Sequence, residues 1–184
     1  MINVELVTGA LGYKHVYAWK EALMNIGIMG AGDFVWRKGN KLAATIISNN
    51  EIHISDGNWM MQGRHCIIEK GTNEKVAISN GTAGYNRNDI IAVRYTVNHE
   101  TGNENAEIVV IEGTETIGMP NDPVLERSGD INNGAELYEM PLYRVKVEGI
   151  NIVNLEQMFK FRNSMPVFEL DAKNQTVYIT LDEE

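Results

Sequence analysis

Residues 89–112 read DIIAVRYTVNHETGNENAEIVVIE, and the fold class follows from them. Runs 89–97 and 106–112 are rich in Val, Ile and Tyr, residues whose side chains suit a pleated, half-buried surface. Between them lie Asn98, His99, Glu100, Thr101, Gly102, Asn103, Glu104 and Asn105, a polar tip. Two such runs around such a tip predict a long antiparallel hairpin. The same alternation extends both ways along the chain. Residues 42–47 and 51–55 flank Ser48, Asn49 and Asn50, a loop in which Asn tolerates the left-handed backbone region. In the second of these runs Ile52 and Ile54 face one way, and Glu51, His53 and Ser55 the other. Asp56, Gly57 and Asn58 carry a stronger turn signal. Trp59, Met60, Met61 and then 64–69 continue the sheet, and 75–79 adds a further strand before Asn80, Gly81 and Thr82.

Residues 113–134 are polar, contain Pro120 and Pro123, and show only a brief apolar moment at Val124 and Leu125. Such a stretch is longer than a compact domain usually tolerates as plain connection, and long loops are often contact surfaces. Leu142, Val145 and Val147 mark a strand after Pro141, residues 150–159 close the domain, and 167–170 pairs with 176–181 as a terminal hairpin. One helix is expected, over 15–28, where Val16, Trp19, Leu23 and Ile26, with Tyr17, recur at spacings of three and four. The predicted class is therefore mainly β: an antiparallel β-sandwich or partly open barrel with one N-terminal α-helix and a C-terminal hairpin. Its expected divisions are an N-terminal arm (1–14), a β domain (15–160) and a hairpin extension (161–184).

At 184 residues the chain can bury a core without disulfides or metal. A formal net charge of -9 argues against a nucleic-acid partner, because phosphate binding depends on Lys and Arg displacing counterions. Cys66 is the single cysteine, which excludes an internal disulfide and any multi-thiolate zinc site. No apolar run approaches the roughly 20 residues a membrane helix needs. Met1 to Glu5 lacks the basic start and apolar stretch of a signal peptide, so synthesis and folding in the cytoplasm, without membrane insertion, are expected.

Chemistry is hard to place on the chain. His15, His53, His65 and His99 have no second ligand type at a diagnostic spacing, and His65 and Cys66, adjacent on a strand, point to opposite faces. Gly27, Gly30 and Gly32 resemble a phosphate loop but follow a helix instead of opening one. Glu112 with Glu115, or Asp130 with Glu136, offers a carboxylate pair of the kind glycoside hydrolysis uses, yet 25 acidic residues produce such pairs by chance. Trp19, Trp36 and Trp59 with seven tyrosines provide aromatic surface for core packing or for stacking on sugars. No catalytic, cofactor-binding or metal-binding residue is assigned, no cofactor is expected, and the chain is read as no enzyme.

The order of segments is more specific than any one residue. Gly12 and Tyr13, the helix, Gly30-Ala31-Gly32, the hairpin through Ile54, Asp56-Gly57 and Met61 to His65 resemble a family of tail proteins from phages and prophages of Gram-positive bacteria. The likeness continues through Ile78 to Asp89, Ala106 to Thr114, Glu139 to Val145 and Gly149 to Ile152, covering roughly residues 10–160. It implies a non-catalytic structural component of a tail tip or baseplate, an N-terminal attachment domain located in the virion tail. The partners it implies are further copies of the chain, as a homo-trimer, and other phage tail or baseplate proteins. The competing expectation is a carbohydrate-binding module for host surface glycans. The chain departs from the family's pattern in ending soon after Phe159, which favours a scaffold or adaptor over a receptor binder.

Overall fold

The computed structural model describes residues 17–163, 167–171 and 173–180. The expected arm at 1–14 lies outside them, as does Val16. Helix α1 (Ala18–Met29) is followed by β1 (Phe34–Trp36), β2 (Ala44–Ser48), β3 (Glu51–Met61) and β4 (Arg64–Ala77). Then come β5 (Asn86–Asn98), β6 (Asn103–Ile111), β7 (Leu137–Glu148), β8 (Asn151–Gln157) and β9 (Phe161–Arg162). Strands β10 (Val167–Asp171) and β11 (Thr176–Thr180) pair with each other as an antiparallel hairpin. Among the described residues the chain is thus mainly β with one helix near the N-terminus, as its sequence predicts.

Two sheets form the body. In the first, β4 runs along one edge of β3, while β2 and β1 share the other edge and β9 lies parallel to β1. The second is antiparallel in the order β6-β5-β7-β8. A single cluster between the sheets includes Ile52, Ile54 and Met61 from the first and Ile91, Val93 and Leu142 from the second. Strands β4 and β6 do not pair, so no barrel closes: Arg64 clamps Glu104 in a bidentate ion pair at 2.8 and 3.0 Å, and beyond it the seam opens into a cleft of about 580 Å³ beside Ile67, Val76, Ile108 and Val110.

Three local expectations are corrected. Asp56, Gly57 and Asn58 are not a turn but lie inside β3. Opposite Asp56, β4 bulges by Glu69, Lys70, Gly71 and Thr72, since Ser55 pairs with Asn73 and Gly57 with Ile68. Gly57 is needed for close approach, because a Cβ there would lie 2.7 Å from the Leu42 nitrogen. The actual turn is Gln62-Gly63, where both residues take positive φ (46° and 88°), as a tight hairpin requires.

The strand expected after Pro141 begins before it, at Leu137. Ile91 pairs with Tyr143 and Ala92 with Pro141, so Leu142 is an extra residue in β7. That bulge switches side-chain parity, and Tyr138, Met140 and Leu142 before it and Tyr143, Val145 and Val147 after it all reach the core. Pro141 sits at the bulge and beyond the end of β8, where a missing N–H costs no ladder bond.

The helix is present, but Trp19 and Leu23, chosen from its periodicity as core-facing, are turned outward. Ala22 and Asn25 are buried against the β3–β4 turn, Ile26 is half-buried, and Trp19 and Leu23 are more than half exposed. Gly63 allows this contact: a Cβ there would come within 2.8 Å of both the Ala22 carbonyl and Ile26 Cγ1. Asn25 Nδ2 donates to the Gly63 carbonyl at 2.9 Å.

Candidate functional site

The sequence-level candidates for chemistry do not converge. Glu112 and Glu115 flank one guanidinium, Arg87, at 3.4 and 3.5 Å, and do not face each other across a cleft. Asp130 caps the 3-10 turn Ile131–Asn133 by accepting from the Asn132 amide, while Glu136 lies 3.4 Å from His99. His53 contacts Glu51 and His65 contacts Asn58, each a neighbour on the same hairpin. Burial, with help from Glu104, pushes the Cys66 thiol up to about 11. Met29 ends α1, so the glycines at 30 and 32 follow a helix C-terminus and not an N-terminus, and the Gly30 amide is donated to the Ile26 carbonyl. Among the described residues no group of three or more His, Cys, Asp and Glu side chains is placed to hold a metal. Of the tryptophans, Trp59 is buried, Trp36 is half-buried, and Trp19 stands out from α1.

What the fold does build is a fixed surface from segment 113–134. This segment crosses the outer face of the second sheet. Ile91, Val93 and Tyr95 point into the core, whereas Ile90 and Ala92 are buried on the opposite face, which also carries Asn86, Asn88 and Arg94. At the start of the segment the Gly113 amide donates to Asp89 Oδ1 at 2.9 Å, and Asn86 and Thr116 exchange two backbone hydrogen bonds. Asn86 Nδ2 then donates to the Gly118 carbonyl at 2.8 Å, and Asn88 Nδ2 to the Pro120 carbonyl and to Asp122 Oδ1.

Arg144 grips the Asp122 carboxylate through Nε and Nη2 and Glu156 through Nη1. Its guanidinium holds the Asp122 carboxyl below the ordinary value, and Lys146, then Arg144, does the same for Glu156. Further on, the buried Glu139 takes Arg94 on one oxygen and the Glu126 amide on the other, while the Glu139 amide donates back to the Glu126 carbonyl at 2.7 Å. Gln62 closes the segment by accepting from the Ile131 amide and donating to the Gly129 carbonyl.

Asn86, Arg87, Asn88 and Asp89 are the pins of this arrangement. The strand expected from residue 89 begins earlier, at Asn86, so these are the first four residues of β5. Arg87 and Asp89 form a buried ion pair at 2.8 Å, and Arg87 also donates to the Ser79 carbonyl at 2.7 Å. Buried charges are tolerated when fully paired in this way.

On this anchored backbone stand three large apolar side chains. Ile117 is 80% exposed, Met119 95% and Val124 93%. A second apolar surface is the outward side of α1, where Tyr17, Trp19, Leu23, Met24 and Ile28 are each more than half exposed. No protein-family model matches the chain, and neither a curated protein nor a solved structure is detectably similar to it.

Proposed function

We propose that the chain is a non-catalytic structural component of a bacteriophage or prophage tail tip or baseplate, acting by oligomeric assembly as a scaffold or adaptor. One observation carries the assembly part: a 22-residue excursion held to its sheet by backbone and side-chain hydrogen bonds presents Ile117, Met119 and Val124 to solvent. An interface needs an apolar centre that is already ordered, and these side chains on a fixed backbone supply one. The tail assignment rests on the ordered likeness of segments between residues 10 and 160. Its partners are then further copies of the chain and neighbouring tail proteins.

Immunogold electron microscopy with antibody raised against the purified chain tests the assignment. Label at the distal end of intact tails is the expected result. Label confined to material outside assembled particles overturns it. Glycan recognition is the competing proposal. It needs an aromatic face open to a sugar, and Trp19 on α1 is the tryptophan that offers one. Saturable binding on a glycan array, lost in Trp19→Ala, is the result that selects it.

A further inference from the structure

We infer that the open seam between β4 and β6 is a strand-acceptor site, and that residues 2–8 of the same chain fill it as an antiparallel strand. This does not depend on the tail assignment.

The acceptor consists of two unpaired edges. Among the described residues β4 pairs with β3 alone and β6 with β5 alone, and the free sides of both line the cleft of about 580 Å³ between them. Unpaired backbone edges are templates for a further strand. Apolar residues along the cleft are incompletely covered: Ile67 is 56% exposed, and Ile108 and Val110 are half-buried.

Trp59 is an independent sign of a missing occupant. It walls the same cleft and is 5% exposed, yet its indole Nε1 is buried with no hydrogen-bond partner. A buried N–H in that state is costly, and a main-chain carbonyl entering the cleft is the acceptor it lacks.

Position, length and pattern select the occupant. Sixteen residues precede Tyr17, the first described residue. Ala18, at the start of α1, walls a small cleft with Arg64, Glu104 and Ala106, and Ala106 walls the seam cleft as well. Helix α1 therefore starts at the Arg64 end of the seam. Residues 9–17 reach up to roughly 30 Å, enough to carry residue 8 past the Arg64–Glu104 clamp. Beyond Glu104, β6 offers Asn105 to Ile111, seven residues. Ile2-Asn3-Val4-Glu5-Leu6-Val7-Thr8 is also a run of seven, in which Ile2, Val4 and Leu6 alternate with the polar Asn3 and Glu5. That is the period of a strand with one face on a core.

Direction agrees. Arg64 meets Glu104 at one end, and further on Val76 shares the cleft with Val110, so β4 and β6 run the same way along the seam. A segment that recedes from α1 toward residue 2 is then antiparallel to both, the stronger form of pairing. Its tether to α1 holds it there at an effective concentration on the order of millimolar.

Hydrogen exchange read by NMR tests this. In the unaltered chain the amides of 3–7 and the Trp59 indole N–H, identified by its loss in Trp59→Phe, are expected to exchange at least about a hundred-fold slower than in an unstructured peptide. Val4→Pro with Leu6→Pro removes two donors from the segment. In that variant, protection of 3–7 is expected to vanish and the Trp59 indole and the β6 amides from Ala106 to Val110 to exchange about ten-fold faster or more, while β5 and β7 stay protected. Unstructured exchange rates at 3–7 in the unaltered chain overturn the proposal. So do Trp59 and β6 rates that the proline variant leaves unchanged. In a mixture of separately labelled chains, filtered NOEs from 2–8 to β6 are expected within one chain, and NOEs between chains overturn the same-chain placement.

Discussion

Asn88 and Asp122 are joined by a 2.9 Å hydrogen bond across 34 residues of chain, the side-chain amide of a strand donating to the carboxylate of a loop. Arg144 completes the triad from the neighbouring strand β7. Asn88 is buried, so losing its amide removes its hydrogen bonds to Asp122 and Pro120 together. Asn88→Ala is expected to cost about 1–3 kcal/mol in urea unfolding. Amide hydrogen exchange should speed up across 116–122 while the β5–β6 hairpin stays protected. Unchanged exchange in that segment would show that the loop is held by something else.

Acid should loosen the same surface. The folded-state pKa of Asp122 lies below its ordinary value of 3.8, chiefly because Arg144 bonds the ionised form. A depressed carboxylate contributes stability that is present above the unfolded value and is lost as pH falls through the folded one. Protection of 116–122 is therefore expected to hold above about pH 5 and decline below about pH 4. In Asp122→Asn this particular decline disappears. A decline of equal size in that variant would assign it to other carboxylates.

Two glycine substitutions should act in opposite directions. Gly113→Ala drives a Cβ into the Asn88 carbonyl, a backbone atom that cannot turn aside, and is expected to destabilise by at least about 2 kcal/mol. Gly27→Ala, inside α1 with nothing within 4 Å of the new methyl, is expected to stabilise by about 0.5–1 kcal/mol. Thermal unfolding of the two variants measures both.

Cys66 is expected to be a slow nucleophile in the folded protein. With its thiol raised to about 11, the thiolate fraction at pH 8 is on the order of one in a thousand. Alkylation by iodoacetamide should run roughly a hundred-fold faster in guanidinium than in buffer. Equal rates would mean that the thiol is open in the native state.

The sequence was informative where one local signal decides an element, as in the long hairpin of β5 and β6 or the alternation of Ile52 and Ile54. It failed where a distant contact overrides the local one. Asp56-Gly57-Asn58 has turn composition, but its glycine admits the Leu42 backbone, and its aspartate accepts from Asn40 Nδ2 at 2.6 Å. Asn86, Arg87 and Asn88 precede the run expected as a strand, yet in β5 the side chains of 86–89 reach 112–122, and no periodicity encodes a hydrogen bond across 34 residues. The α1 pattern located a helix without revealing that small residues, Ala22 and Asn25, face the body while the large apolar ones face out. Segment 113–134 was legible as a long polar loop, but its exposed apolar residues acquire meaning only once its backbone is seen to be fixed.

The mass of the unaltered chain in solution, by light scattering coupled to size exclusion over a wide range of concentrations, tests assembly most directly. A discrete species of three or more chains, dispersed by Met119→Glu with Val124→Glu, is the result predicted. A species with the mass of one chain at every concentration contradicts it.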